Sequence, residues 1–151
     1  MIKVLLMALM FSVQTTGWVA YAGEPYQVEQ EVEVDTLNDE EFDLVCRVVA
    51  AEARGDTFQG MMAVAETIKT RHEQWNMSVT EVCTAPNQFA KPYQGEISTA
   101  VKVAVDDVFH QNKSVFDGEY PTHFHNGTVT PYWAENKTYL GQVGGHYFYG
   151  Y

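Results

Sequence analysis

The chain has 151 residues, of which 46% are hydrophobic and 19% charged, a balance that fits one globular domain with a single core. Its formal net charge is −11, with 9 basic residues against 20 acidic ones. Nucleic-acid binding depends on an excess of Lys and Arg that neutralises phosphates, so this composition excludes nucleic acid as the expected partner.

Residues 1–22 have the pattern of a secretory signal peptide. Lys3 gives a positive start, residues 4–13 are apolar, and Ala20-Tyr21-Ala22 has the small residues of a cleavage site. About ten apolar residues are too few to span a bilayer. We expect cleavage before Gly23, a secreted or periplasmic protein, and no stable membrane insertion after cleavage; a retained helix and an uncleaved anchor are the alternatives.

Residues 23–37 alternate Val with Glu, a pattern that fits either an edge strand or a solvated linker. The stretch has little apolar area, and its repeated acids oppose close packing. We therefore predict an acidic linker here, followed by one folded domain at residues 38–151.

The first predicted helix covers residues 39–54 and is apolar around most of its circumference. Asn38 or Asp39 can cap its start, and the acids that follow suit the positive end of the helix dipole. Gly55 stands where a glycine in the left-handed conformation would end the helix. We expect this helix to lie at the centre of the core.

Three further helices are predicted from apolar periodicity and capping signals. They cover residues 58–72, residues 78–83 and residues 98–112, and the second opens with Ser-Val-Thr-Glu, which has the form of a capping box. The first of the three is the expected partner of the central helix.

After residue 118 the chain becomes rich in aromatic and β-prone residues, with turn signals at residues 126–127 and 144–145. Strands are expected at residues 123–126 and 146–149. Helices first and a small antiparallel sheet last predict an α+β domain.

Cys46 and Cys83 are the only two cysteines of the chain. In an oxidising compartment a single disulfide between them is expected. Two buried free thiols are the alternative, since Cys46 lies within an apolar helix, where free cysteine is also common.

We expect the chemistry of this chain at Glu52, near the end of the first helix. The negative end of the helix dipole and apolar surroundings both disfavour a charged carboxylate there. A carboxyl group in such a place can act as a general acid. An ordinary ion pair with Arg54, Lys69 or Arg71 is the alternative.

Several motifs follow one another in a specific order along residues 42–149. They are Cys-Arg-Val-Val-Ala-Ala-Glu-Ala-Arg-Gly-Asp at 46–56, Gln-Gly-Met-Met-Ala-Val-Ala at 59–65, Arg71, Asn-Gln-Phe at 87–89, Tyr-Trp at 132–133 and Gly-Gly-His-Tyr-Phe-Tyr at 144–149. Through them the chain resembles the SleB/CwlJ-like family of cell wall hydrolases, the spore cortex-lytic enzyme type. The resemblance implies a lysozyme-like α+β fold and cleavage of the peptidoglycan glycan strand by the glutamate that falls on Glu52.

The reaction that the resemblance implies is that of a lytic transglycosylase. Glu52 protonates the glycosidic oxygen between N-acetylmuramic acid and N-acetylglucosamine, and then acts as a base on the sugar's own 6-hydroxyl to give a 1,6-anhydro product. One carboxyl group is enough, unlike the pair in standard glycosidases. We expect no cofactor, no metal, and a monomer.

Asp56 stands where the family more often has Glu. Pointing into the cleft, it would position water and give a muramidase-type hydrolase, which is the main alternative. Its place after a helix-ending glycine favours a structural role at the start of the next helix.

The resemblance also implies a set of substrate-binding residues, in which Gln88 bonds an acetamido group and Phe89 packs on a sugar. The full set is Gln88, Phe89, His125, Tyr132, Trp133 and His146. Plain core packing is the alternative for the aromatic members. The chain shows no spore-type wall-binding repeat, which favours a periplasmic or phage-encoded, endolysin-like enzyme.

Two other functions are open on the sequence alone. His123, His125 and His146 can form a three-histidine zinc site with an open position, which would make Glu52 the base of a metal hydrolase. A secreted glycan-binding module that keeps the fold without turnover is the non-enzyme alternative.

Overall fold

The computed structural model describes residues 36–151. The predicted signal peptide and nearly all of the predicted linker lie outside the described residues. The elements, in chain order, are helices α1 (Asp39–Ala53), α2 (Phe58–Trp75), α3 (Val79–Thr84) and α4 (Thr99–Phe109), strand β1 (His123–His125), a 3₁₀-helix (Tyr132–Asn136), and strands β2 (Thr138–Val143) and β3 (His146–Gly150). This order confirms the predicted α+β class.

Helix α1 begins with the predicted cap. The Asn38 side chain accepts hydrogen bonds of 3.0 Å from the backbone N–H groups of Glu40 and Glu41, and the Glu41 carboxylate accepts one from the Asn38 N–H. Buried side chains surround the helix: Val45, Cys46, Val48, Val49, Ala50 and Ala53. α1 packs against α2, α3 and α4, as expected for a central helix.

The end of α1 differs from the prediction, because Gly55 does not adopt the left-handed conformation. Instead, a tight turn follows the helix, in which the Asp56 N–H donates to the Ala53 carbonyl at 2.9 Å. Thr57 then caps α2 by accepting a 3.0 Å hydrogen bond from the Gly60 N–H. This turn brings Glu52 and Asp56 to the same end of the helical core.

The other helices agree with the prediction in position and differ in length. α2 continues to Trp75, past residue 72, and ends at Asn76 in the left-handed conformation with φ 52°. α4 is shorter than predicted and ends at Phe109, while α3 has the predicted capping box. Within residues 36–151, no helix is long and apolar enough to cross a membrane.

The sheet has the strand order β1-β3-β2, and its pairs are antiparallel. β2 is absent from the sequence-based prediction because a bulge between Tyr139 and Gly141 breaks the alternation of its residues. A turn at residues 144–145 joins β2 to β3, as predicted. On β3, Phe148 faces the core and is fully buried, whereas Tyr147 and Tyr149 point to the other face.

Both cysteines are free thiols in the core, so the predicted disulfide is wrong. Burial raises the pKa of each thiol to about 12, which leaves both protonated at neutral pH. Their charged neighbours also differ, since Asp43 and Lys102 act on Cys46 and Arg71 acts on Cys83. Each thiol packs as a small hydrophobic group in the core.

Candidate active site

A cavity of about 940 Å³ opens where the end of α1, the loop after α3, the end of β1 and the β2–β3 turn meet. It gathers six of the residues that the sequence predicts for the site: Glu52, Asp56, Gln88, Phe89, His125 and His146. The lining also includes Phe124 and Asn126, which the sequence marks only as part of a strand and a turn. Asn87 and Gly145 line it too, and they belong to the motifs of the resemblance without an assigned role in the site. Tyr132 and Trp133 are not part of it.

Glu52 lies in the last turn of α1 and is half-buried. Its Oε1 atom accepts a 2.6 Å hydrogen bond from the Ala90 backbone N–H, which belongs to the loop after α3. Among residues 36–151, no hydrogen bond reaches the second oxygen, Oε2. The carboxyl group is therefore held by one oxygen, while the other is available to a molecule in the cavity.

The ion pairs that would make Glu52 an ordinary surface charge are absent from the described part of the chain. Arg54 donates to the Ala50 carbonyl and lies over the ring of Tyr93, with 4.5 Å between the guanidinium carbon and the ring centroid. Lys69 donates to the Val108 carbonyl at 3.0 Å. Both cations have other partners, and Glu52 remains without a direct salt bridge.

Arg71 is a buried cation beneath this site, with 4% of its surface exposed. Its Nε–H donates to the Thr122 carbonyl at 2.7 Å, and its guanidinium lies over the rings of Phe89 and Trp75 at 4.8 and 5.1 Å. Burial lowers the pKa of Arg71 to about 10, and the negative charge of Glu52 acts in the opposite direction. Arg71 thus remains positive at neutral pH, and its charge attracts the negative charge of Glu52 from within the core.

Asp56 lines the same cavity, but both of its oxygens accept hydrogen bonds from the protein. The donors are the Thr57 N–H at 2.6 Å, the Gly145 N–H at 2.9 Å and the His146 Nδ1–H at 3.1 Å. Burial would raise the pKa of Asp56, but these hydrogen bonds outweigh it and hold the pKa below its ordinary value of 3.8. The carboxylate fastens the start of α2 to the β2–β3 turn.

The β2–β3 turn fits closely around Asp56. Gly144 has φ 57°, and a Cβ atom built on it would overlap the Asp56 carboxylate. Only glycine takes this backbone conformation readily and leaves room for the carboxylate. The pair of glycines therefore serves the contact with Asp56 as well as the turn.

The loop after α3 supplies Gln88 and Phe89. Gln88 is exposed at the cavity, whereas Phe89 is half-buried and packs on the ring of Phe124, with ring centroids 6.1 Å apart, as well as on Arg71. Phe89 precedes Ala90, whose N–H holds Glu52. The contacts of Phe89 thus anchor the segment that positions the carboxyl group.

The two histidines of the cavity come from opposite faces of the sheet. The register pairs His125 with Tyr147 on one face, while His146 shares the inner face with Phe148. The Gly127 N–H donates to the His125 Nδ1 atom, so its Nε2 carries the proton and donates to the Tyr149 hydroxyl at 3.3 Å. Burial, together with the charge of His146, lowers the pKa of His125, which is neutral at pH 7.

The three-histidine zinc alternative is wrong because the three histidines do not lie on one face of the sheet. His123 and His125 share the outer face of β1, and His146 is on the inner face of β3, engaged with Asp56. In the part of the chain that the structure describes, no three His, Cys, Asp or Glu side chains are arranged to hold a metal ion.

Known proteins match both the sequence and the fold. Residues 55–149 match the family described as Cell Wall Hydrolase, a stretch that begins just after Glu52. The crystal structure of the catalytic domain of the Bacillus cereus SleB protein superposes with a TM-score of 0.68 at 21% identity, covering 76% of this chain and 93% of that one. The catalytic domain of the germination-specific lytic transglycosylase SleB from Bacillus anthracis gives a TM-score of 0.66 at 22% identity, covering 76% and 98%. No curated protein sequence matches the chain. The two structures confirm the predicted lysozyme-like α+β fold.

Proposed function

The chain belongs to the cell wall hydrolase family, a family of enzymes that act on peptidoglycan outside the cytoplasm, and we propose that it is a lytic transglycosylase whose single catalytic carboxyl group is Glu52. One observation carries the proposal: Glu52 lines the cavity with one oxygen held by the Ala90 N–H and the other without a hydrogen bond among residues 36–151. A general acid must present such an oxygen to the bond that it cleaves.

In this reaction Glu52 gives its proton to the glycosidic oxygen, which leaves as a hydroxyl group of N-acetylglucosamine. The bond from this oxygen to carbon 1 of N-acetylmuramic acid breaks, and positive charge develops on the ring. The ionised Glu52 then takes the proton of the 6-hydroxyl as the 6-oxygen bonds to carbon 1. No water is consumed, and Glu52 ends protonated, ready for the next cycle.

The chain's own residues support both halves of this cycle. The Ala90 N–H fixes the rotation of the carboxyl group, so its free oxygen keeps one direction. The buried charge of Arg71 stabilises the carboxylate that exists between the two proton transfers. Gln88, exposed at the rim, is the proposed partner of an acetamido group.

Asp56 decides between transglycosylase and muramidase-type hydrolase, the second candidate. Positioning an attacking water requires a carboxylate oxygen free to accept a hydrogen bond from it. Both oxygens of Asp56 are already bonded to Thr57, Gly145 and His146, and its side chain is only 12% exposed. This favours a structural role for Asp56 and cyclisation by the sugar's own hydroxyl. The Bacillus anthracis relative is itself described as a lytic transglycosylase, which agrees.

We also propose that residues 1–22 are removed on export and that the mature protein is a monomer, secreted or periplasmic. N-terminal sequencing of the exported protein tests the first part. A mature chain that begins near Gly23 is expected, and a retained Met1 would overturn it.

The proposed role of Glu52 is tested by replacing it with Gln, which keeps size and removes the acid. We expect the clearing rate of purified peptidoglycan to fall at least 10²-fold, the scale of one acid–base group. Glu96→Gln, which changes an exposed glutamate elsewhere, is the control and should leave the rate unchanged. Equal rates for wild type and Glu52→Gln would overturn the proposal, and a wild type that binds but never cleaves would indicate a glycan-binding module.

A further inference from the structure

The outer face of the sheet, on the side away from the core, carries a row of aromatic rings that the proposed chemistry does not use. The register places His125 opposite Tyr147 and Tyr139 opposite Tyr149, and all four point outward. Of their inward neighbours, Phe148 belongs to the core and Phe124 is partly buried against it. Trp133, from the 3₁₀-helix, packs against this row. We call these five residues the aromatic face: His125, Trp133, Tyr139, Tyr147 and Tyr149.

The rings of the aromatic face form an unbroken series of contacts. The centroids of Tyr139 and Tyr149 lie 5.3 Å apart, those of Tyr149 and His125 lie 5.6 Å apart, and those of His125 and Tyr147 lie 5.3 Å apart. The series begins on β2, at the edge of the sheet, and reaches β1. Its member on β1, His125, also lines the cavity that contains Glu52.

The outer face is also accessible. Tyr139 is 54% exposed, and His125, Trp133, Tyr147 and Tyr149 are half-buried rather than buried. Aromatic side chains scattered singly over a surface are ordinary, whereas a contiguous exposed patch marks an interaction site. Rings fixed by their neighbours can bind a ligand with little loss of side-chain freedom.

The charge of the face fits a cell wall ligand. The chain as a whole has a net charge of −11, but no member of the aromatic face carries a carboxylate. A basic side chain lies near its edge: Lys137 is over the ring of Tyr151, which neighbours His123. Peptidoglycan carries carboxylates on its peptides, and the positive charge of Lys137 near the edge of the face attracts them.

We propose that the aromatic face binds the stretch of the glycan strand that continues beyond the scissile bond, by stacking its rings on the apolar C–H faces of successive amino sugars. This inference rests on the proposed function, because it takes the occupant of the cavity to be the same strand. The ligand class is a long β-linked amino-sugar polymer, and a short fragment would fill the cavity alone.

Tyr139→Ala tests the face at the ring farthest along the series from the cavity. The variant is made in the Glu52→Gln background, so that binding to insoluble peptidoglycan sacculi is measured without cleavage. We expect about five- to tenfold weaker binding, the scale of one aromatic contact. Tyr139→Phe keeps the ring and should bind as the parent does. Tyr120→Ala removes an equally exposed tyrosine, 59% exposed, that is outside the face and should have no effect.

The same substitution is then tested for cleavage with Glu52 intact. We expect a raised KM on sacculi with an unchanged kcat, and no change on a short muropeptide that reaches only the cavity. If Tyr139→Ala leaves binding to sacculi unchanged, the proposed role of the aromatic face is overturned and the proposed function is unaffected. If the wild type cleaves no peptidoglycan, the proposed function is overturned, and the binding comparison still tests whether the aromatic face binds the glycan strand. A dimer in sedimentation that Tyr139→Ala dissociates would assign the face to a second copy and overturn the inference.

Discussion

The Glu52 carboxylate, which lines the cavity, and the Ala90 backbone N–H are joined by a 2.6 Å hydrogen bond. The bond connects the last turn of α1 with the loop after α3, two elements 38 positions apart in the sequence. It leaves the loop segment that carries Gln88 and Phe89 at a fixed distance from the carboxyl group. The position of the catalytic group thus depends on what holds that loop.

Arg71→Met is expected to disturb the contact between Glu52 and the loop after α3, because Arg71 supports both from the core. The substitution keeps a side chain of similar length but removes the positive charge that attracts the Glu52 carboxylate and the donor to the Thr122 carbonyl. We expect a loss of about 1–3 kcal/mol in the free energy of unfolding, since a buried carbonyl is left unpaired. We also expect a fall in kcat on the order of tenfold, because Glu52 and Phe89 lose their common support.

Urea unfolding and initial rates on sacculi measure the two effects separately. Lys113→Met, which removes an exposed lysine from the Asp107 ion pair, is the control and should change neither quantity by much. A variant with normal kcat but lowered stability would show that Arg71 acts only on the fold.

Asp56→Asn is expected to loosen the contact between α2 and the β2–β3 turn. The Asn side chain has one acceptor oxygen where the carboxylate has two, so it cannot satisfy Thr57, Gly145 and His146 together. We expect a loss of about 1–3 kcal/mol in the free energy of unfolding at pH 7.

The pH dependence of that loss has a defined sign. Because the pKa of Asp56 is lowered in the folded protein, its contribution to stability is present above its unfolded value and is lost as the pH falls below about 3.8 through the folded value. The gap between wild type and Asp56→Asn should therefore narrow in strong acid. Urea unfolding at pH 7, 5 and 3 measures it, and a gap that is constant with pH would contradict the assignment.

Gly144→Ala and Gly55→Ala form a matched pair. At Gly144 the backbone is left-handed and the added Cβ would collide with Asp56, so we expect a loss of about 1–3 kcal/mol. At Gly55 nothing lies within 4 Å of the added atom and φ is not positive, so alanine should be neutral or stabilising by about 0.4–1 kcal/mol. Thermal unfolding compares the two. Destabilisation at both positions would contradict this and support the left-handed conformation that the sequence predicts for Gly55.

The two thiols are expected to be free and unreactive in the native protein. Burial keeps both protonated, and an alkylating reagent attacks the thiolate. Alkylation without reductant should modify neither Cys46 nor Cys83 in the folded state, and both in urea, as counted by intact mass. A protein that stays unmodified in urea until it is reduced would establish the disulfide instead.

Local signals in the sequence predict the helices well, because caps and apolar periodicity act within a few residues. The cap at Asn38 and the capping box at Ser78 are examples, and so is the burial of α1. β2 is missed because its bulge breaks the two-residue alternation, and Gly55 is misread because a tight turn ends α1 without a left-handed residue.

In the site, too, the sequence predicts the side chains but not the contacts that hold them in place. The resemblance places Glu52, Gln88 and Phe89 at one cavity, and the structure brings them together. It does not predict the groups that hold the site residues in place. These are the Ala90 N–H bonded to Glu52, the Thr122 carbonyl bonded to Arg71 and the Gly145 N–H bonded to Asp56, and backbone groups of this kind cannot be identified from residue types. Trp133 lies outside the cavity because it packs against His125 and Tyr149 on the outer face of the sheet, a long-range contact that the sequence leaves open.

The identity of the products tests the central claim most directly. Purified peptidoglycan is digested with wild-type protein and with Glu52→Gln, and the soluble fragments are identified by mass spectrometry. We predict muropeptides that end in 1,6-anhydro-N-acetylmuramic acid from the wild type and none from Glu52→Gln. Fragments that end in reducing N-acetylmuramic acid would contradict transglycosylation and make the protein a hydrolase, and anhydro products from Glu52→Gln would remove Glu52 from the chemistry.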